Sequence, residues 1–248
     1  MFLIEGIRHV GEAIQSQFEI EYVLYAPHLL RSEFAKEMIH LQMEMNVPCY
    51  ELTPEIFSSM ADKENPQGLL AVARQRRTSL TDLSPKNFSL GVAVVDPQDP
   101  GNLGTILRTI DAVGASGLLL LSNREDTSGM VDPYHPNCVR ASMGTLFWLP
   151  FAAASFDDFA RWSAMHGYFV YGSSAHAAID YQSISLEKRP CILLLGSERE
   201  GLIDSQAEIC DSLVRIPMQG KASSLNISVA AGILLYAMIK GKPNNSPR

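Results

Sequence analysis

The stretch from Val214 to Lys240 most limits what this chain can fold into. It reads as a short strand ending at Pro217, a turn at Gly220, and a helix capped by Ser223 or Ser224 and stopped by Gly241 and Pro243. From Leu225 to Ile239 that helix is apolar on nearly every face, and Ala230, Ala231 and Gly232 keep its middle thin. One side of a monomer cannot bury such a helix. The apolar run falls short of the roughly 18 residues a membrane span needs, and Asn226 and Ser228 interrupt its first turn. A two-fold helix pair in a homodimer is the preferred cover, with a fully buried core helix as the alternative. Capping accounts for one of Ser223, Ser224 and Asn226 at the helix mouth, but not for all three.

Ahead of this helix the chain alternates strand and helix. Ile7, Val10 and Ile14 recur at helical spacing, Tyr22–Ala26 reads as a strand, and Phe34, Met38, Leu41 and Met45 mark a second helix. The strand Val47–Leu52, a helix opened by Thr53 and Pro54, and the strand Leu69–Ala73 complete a small α/β module over residues 1–77. Residues 78–89 break the pattern and read as a linker. The second module, residues 90–242, opens with the strand Leu90–Val95, a loop dense in Pro, Gly, Asp and Asn, a helix from Thr105 to Val113 closed by Gly114, and the strand Gly117–Ser122. That order predicts a right-handed parallel crossover. Ser155 and Asp158 mark another helix start, Gly167 its end, and Tyr168–Tyr171 and Cys191–Leu195 two more strands. Residues 243–248 read as a flexible polar tail.

The formal charge is -7, with 7 basic against 11 acidic residues up to residue 80 and 13 against 16 beyond it, so neither half is basic. Any RNA contact then depends on a local patch. Arg74, Arg76 and Arg77 form one cluster, readable either as a solvated strand end or as a phosphate contact. With Arg140 they are the candidate RNA contacts. Cys49, Cys138, Cys191 and Cys210 show no paired spacing, which predicts free thiols in a reducing compartment. His135 and Cys138 make too small a set for a metal, and none is expected. The N-terminus lacks the charged start and apolar run of a signal peptide, so no membrane is expected and the cytoplasm is the default.

In parallel α/β sheets, sites form at the carboxyl ends of strands. Three such loops stand out, at residues 96–108, 196–202 and 216–226. Asn102 reads either as the cap of the Thr105 helix or as a site residue, and Arg108 either as a solvated face or as a group reaching back to the loop mouth. Glu198, just past an apolar strand and between two glycines, needs pairing with Arg108, Arg199 or a backbone amide. No dinucleotide fingerprint follows a strand, and no nucleophile–histidine–acid set falls at these strand ends.

In order and spacing these loops resemble the three motifs of the SpoU (TrmH-like) branch of the SPOUT RNA methyltransferases. Asp96-Pro97 through Asn102-Leu103-Gly104 with Arg108-Thr109 is similar to the first, Gly196-Ser197-Glu198 with Glu200-Gly201-Leu202 to the second, and Ile216-Pro217-Met218 with Ser224-Leu225-Asn226 to the third. Ala141-Ser142-Met143-Gly144 and Phe147 to Pro150 match the middle of the family pattern, and Glu5-Gly6-Ile7-Arg8 with Gln67-Gly68 resembles the small substrate-binding domain often found ahead of it. Ile110 and Ser197 are mild departures. The resemblance implies an α/β fold with a trefoil-knotted parallel sheet, a homodimer through the C-terminal helix, and S-adenosylmethionine as methyl donor. It also implies methylation of a ribose 2′-hydroxyl in structured RNA, with ribosomal RNA preferred and tRNA open. A non-catalytic RNA-binding assembly factor on the same scaffold is the competing class. By motif, Arg108 acts on the 2′-hydroxyl, Asn102, Glu198, Ser224 and Asn226 orient Arg108, phosphate and ribose, and Ser173, Gly196, Ile216, Met218 and Leu225 hold the adenosyl group.

Overall fold

The computed structural model describes residues 1–62, 64–125, 127, 129–184 and 190–240, which divide into two units. The proposed stop at Gly241 and Pro243 and the tail at 243–248 lie outside the described residues. One unit holds Met1–Arg76 together with Pro133–Trp148, and the other holds Arg77–Asp132 and the chain from Leu149 onward.

The first unit begins with β1 (Phe2–Glu5), α1 (Ile7–Gln15), β2 (Ile20–Tyr25), α2 (Glu33–Glu44), β3 (Cys49–Glu51), α3 (Pro54–Met60) and β4 (Leu69–Ala73). Its sheet runs β1-β4-β2-β3, with β4 antiparallel to both neighbours and β3 parallel to β2. Ser32 and Thr53 side chains cap α2 and α3, and Pro54 occupies the first turn where its missing N–H costs nothing. Leu24, Ala26, Phe57 and Leu70 pack together beneath the sheet. β1 escapes a reading by period because four residues at a chain end show no repeat; pairing with β4 makes it a strand.

The second unit continues with β5 (Leu90–Val95), α4 (Pro100–Val113) and β6 (Gly117–Ser122). After α5 (Pro136–Ala141), which belongs to the first unit, come β7 (Phe151–Ser155), α6 (Phe156–Met165), β8 (Phe169–Ser173), β9 (Ile179–Asp180), β10 (Cys191–Leu195), α7 (Asp204–Ala207), β11 (Ser212–Arg215) and α8 (Ile227–Met238). Its seven strands run β7-β6-β5-β10-β8-β11-β9, every pair parallel. β5, β6 and β10 are buried at every position, as strands covered on both faces must be, which is why they read as unbroken apolar runs.

Two expectations change here. Residues 78–89 are not a free linker: Leu83 and Phe88 are buried in the core of the second unit, the Tyr168 hydroxyl donates to the Phe88 carbonyl at 2.7 Å, and Thr78 bridges to Ala152. Two apolar residues suffice to anchor an otherwise polar segment. The segment Pro133–Trp148, read with the second module, groups with the first unit. Aromatic packing explains this, since the Tyr134 and Phe147 rings sit 4.3 and 5.3 Å from those of Phe2 and Phe18.

Candidate active site

β5, β10, β8 and β11 are consecutive neighbours in the sheet and run parallel, so their carboxyl ends lie along one edge. Asp96, Gly196, Ser173 and Ile216 follow or end these four strands. All three loops singled out from sequence therefore leave the same edge of the same unit.

In the first loop Asp99 Oδ1 accepts from the Gly101 and Asn102 amides at 2.6 and 3.1 Å, and Pro100 takes the first helical position. α4 thus starts a turn earlier than Thr105, and Asn102 is not its cap. Its side chain is free for another partner: Asn226 Nδ2 donates to Asn102 Oδ1 at 2.9 Å. Asn226, not Ser223 or Ser224, caps α8, its Oδ1 accepting from the Ser228 amide and hydroxyl at 2.9 and 2.6 Å. Ser223 and Ser224 lie exposed in the preceding loop. α8 packs along α4, and the two helix N-termini, each carrying partial positive charge, meet at this contact. An anion is favoured there.

In the second loop both Glu198 carboxylate oxygens accept from the Gln98 amide, at 3.3 and 3.2 Å. The carboxylate is exposed, so the burial cost inferred from its neighbours does not arise, and a backbone amide is the partner. Gly196 is required sterically: a Cβ there would stand 2.0 Å from the Gly201 carbonyl carbon. The turn it enters is closed by the Ser197 and Gly201 backbones at 3.1 and 3.0 Å.

Arg108 is exposed on α4, six residues past Asn102, about 9 Å along the helix axis. Among the described residues neither Arg108 nor Arg199 enters a salt bridge. Ile216, Met218 and Leu225 are half-buried along the third loop, and Ser173 is half-buried at the end of β8.

The candidate RNA arginines are differently placed. Arg74 pairs with Glu21 and Glu19, and the Glu21 carboxylate pushes its guanidinium pKa further up. Arg76 donates to the Phe147 carbonyl at 3.4 Å and lies 4.4 Å over the Phe18 ring. Arg77 is exposed, and Arg140 pairs with Asp62 while donating to Asn137 at 2.5 Å. His135 Nδ1 accepts from the Asn137 amide at 3.2 Å as the cap of α5. Among the described residues no cluster of three or more His, Cys, Asp or Glu could hold a metal, and no helix is long and apolar enough to cross a membrane.

Sequence reasoning missed the support beneath the first loop. Asp96, at φ 42°, accepts the Asn123 amide at 3.4 Å; Asn123 Oδ1 accepts from Gln206 Nε2 at 2.6 Å, and Gln206 Oε1 accepts the Ile203 amide at 3.1 Å. Gln206 is almost wholly buried. A lone Gln in a short polar helix gives no signal in one sequence; a polar residue directly after the apolar strand β6, as Asn123 is, gives a faint one.

The chain matches the SpoU rRNA Methylase family over residues 89–236 and the MRM3-like substrate binding domain over residues 1–71. It is 30% identical over 96% of its length to a 23S rRNA (uridine(2479)-2′-O)-methyltransferase of Streptomyces viridochromogenes, covering 82% of that protein. It is 29% identical over 95% of its length to the 23S rRNA (guanosine(2553)-2′-O)-methyltransferase RlmP of Bacillus subtilis, covering 87% of it. An AdoMet-bound rRNA methyltransferase from Sinorhizobium meliloti superposes with a TM-score of 0.85 at 33% identity, over 96% of this chain and 87% of that one. The parallel sheet and these matches agree with the expected SPOUT fold.

Proposed function

Because the chain belongs to the SpoU rRNA methylase family, we propose that it transfers a methyl group from S-adenosylmethionine to a ribose 2′-hydroxyl of large-subunit ribosomal RNA. The observation that carries this reading is the convergence of the three loops at one sheet edge, tied by the Asn226–Asn102 and Glu198–Gln98 hydrogen bonds, with Arg108, in no salt bridge among the described residues, exposed further along α4. The names of the two bacterial relatives favour ribosomal RNA over tRNA.

The site suits an adenosyl group. With no room for a side chain at Gly196, the loop offers backbone donors and acceptors. Backbone groups of Gly196, Ile216, Met218 and Leu225, with Ser173, would hold the donor. When bound, S-adenosylmethionine supplies a sulfonium-activated methyl group, so the protein's task is alignment and charge stabilisation. Transfer to the 2′-oxygen would leave the donor as its neutral thioether, and the 2′-proton would pass to solvent water or to the adjacent phosphate. Arg108 stabilises the developing alkoxide as a cation, since a guanidinium barely deprotonates. The paired N-termini of α4 and α8 favour the adjacent phosphate. Asn102 and Asn226 fix the two helix starts against each other, Glu198 holds the Gln98 amide, and the Ser224 hydroxyl orients the ribose.

In this reading the first unit binds the RNA, with Arg140 among its contacts, Arg77 at the start of the second unit adds another, and two copies pair through α8. Val229 and Tyr236 on that helix are 49% and 57% exposed in the single chain. The four free thiols fit a reducing cytoplasm. Replacing Arg108 with Ala should abolish methyl transfer while calorimetry shows unchanged donor binding. Transfer at the wild-type rate would sink the assignment.

A further inference from the structure

Trp148 is the side chain this chemistry leaves most conspicuously unused. It ends the Pro133–Trp148 segment and is 52% exposed, although an indole gains more than almost any side chain by being covered. The ring is tethered all the same. Its Nε1–H donates to Glu12 Oε2 at 2.8 Å. Glu12 comes this close because residue 144 is Gly: φ there is 98°, and a Cβ would stand 2.6 Å from Glu12 Cγ. Met143, at φ 53°, enters the same turn in a left-handed conformation that side chains disfavour. A turn built in this way spends strain on holding the indole by its edge while its surface stays in water.

The Glu12 carboxylate holds the indole by its edge, and a cation stands on the same helix face. Arg8 is exposed four residues before Glu12, on the same face of α1. Arg140, from the same segment as Trp148, is clamped by Asp62 and Asn137. An exposed aromatic held by its edge, with an arginine on the adjoining helix face, is an arrangement by which proteins hold unstacked bases of single-stranded RNA.

We propose that Trp148 is a stacking platform for an unpaired base of the RNA substrate, with Arg8 meeting a neighbouring phosphate. This rests on the RNA-methylation reading above. It makes Trp148, which lies outside the matched substrate-binding residues 1–71, part of substrate recognition.

The chain's two tryptophans make the test direct. Trp162 is buried and stacked on Tyr168 at 4.7 Å, so the Trp162→Phe variant leaves Trp148 as the only indole emitter. An unmodified in vitro transcript of 23S rRNA should quench that emission as it binds. Trp148→Ala in the full chain should raise KM for the transcript about tenfold, within the range of one lost base stack, with kcat at saturating RNA and donor affinity unchanged. Trp148→Phe should restore most of the loss, and this pair of variants decides the matter even if Trp162→Phe folds poorly. A wild-type KM in Trp148→Ala, or unquenched emission from an enzyme that methylates the transcript, would overturn the proposal. So would a Trp148→Ala variant that changes oligomeric state but handles RNA normally, since the ring would then be a contact between copies. A wild-type protein that neither binds nor methylates any ribosomal RNA would overturn this proposal and the RNA reading together.

Discussion

Asn226, the cap of α8, donates to Asn102, in the first turn of α4, at 2.9 Å across 124 positions of sequence. One side chain thus serves two purposes: its oxygen starts a helix and its nitrogen fastens that helix to the neighbouring loop.

The two substitutions at this bond should differ in size. Asn226→Ala loses a cap, about 1 kcal/mol, as well as the lateral hydrogen bond. Asn102→Ala loses the lateral bond alone, again about 1 kcal/mol. Urea denaturation of the two single variants and the double should show coupling of about 0.5 kcal/mol or more. Additive losses would mean that the bond contributes nothing to stability. Both variants should also methylate RNA at least about tenfold more slowly, because the helix starts then move independently.

Glu198 is exposed, so Glu198→Ala should change stability by no more than about 0.5 kcal/mol. Single-turnover transfer should nevertheless fall, because nothing then holds the Gln98 amide. Glu198→Gln keeps an acceptor oxygen and should retain more activity than Ala. Equal rates for the two would remove the amide contact from the account.

Alkaline stability gives a check independent of RNA. Burial, with Asp211 adding to it, pushes the Cys210 thiol from 9.0 up to about 12. Burial likewise pushes the Tyr168 phenol from 10.0 up to about 12. Below pH 9.0 both groups are protonated folded and unfolded, and stability is at its full value. Above it the unfolded chain loses protons first, so stability should fall with rising pH until about 12. Tyr168→Phe should flatten the upper part of that slope in urea titrations. An unchanged slope would mean that the phenol is not what titrates.

The outward face of α8 predicts the oligomeric state. Val229→Asp and Tyr236→Asp place charge on exposed positions, which a lone chain tolerates within about 0.5 kcal/mol. In a helix pair they are buried unpaired charges. Sedimentation should show the unaltered chain as a dimer and each variant shifted towards monomer. A wild-type monomer would contradict the pairing.

What was legible in the sequence follows from where the signal is local. The apolar runs Leu90–Val95 and Cys191–Leu195 can only be covered strands, and Gly114 marks the end of α4 because it alone sits comfortably in the left-handed turn, at φ 65°. The first two loops were visible because each follows such a strand, and the third because the apolar helix of residues 225–239 comes straight after it. What failed depended on partners distant in sequence. Asn226 competes with Ser223 and Ser224 as a cap, and only the lateral bond to Asn102 explains its second role. Phe88 looks like a linker residue until the Tyr168 hydroxyl is found on its carbonyl. Gln98, whose contribution to the site is its backbone amide, has no side-chain signature to read.

The central claim is the site of methylation, and the direct measurement is incubation of the protein with radiolabelled S-adenosylmethionine and unmodified 23S rRNA, followed by digestion to nucleosides. The account predicts label in one 2′-O-methylated nucleoside at a single position, and none when Arg108 is Ala. Label on a base rather than a ribose, or donor binding with no transfer to free ribosomal RNA or to assembling ribosomal particles, would contradict it.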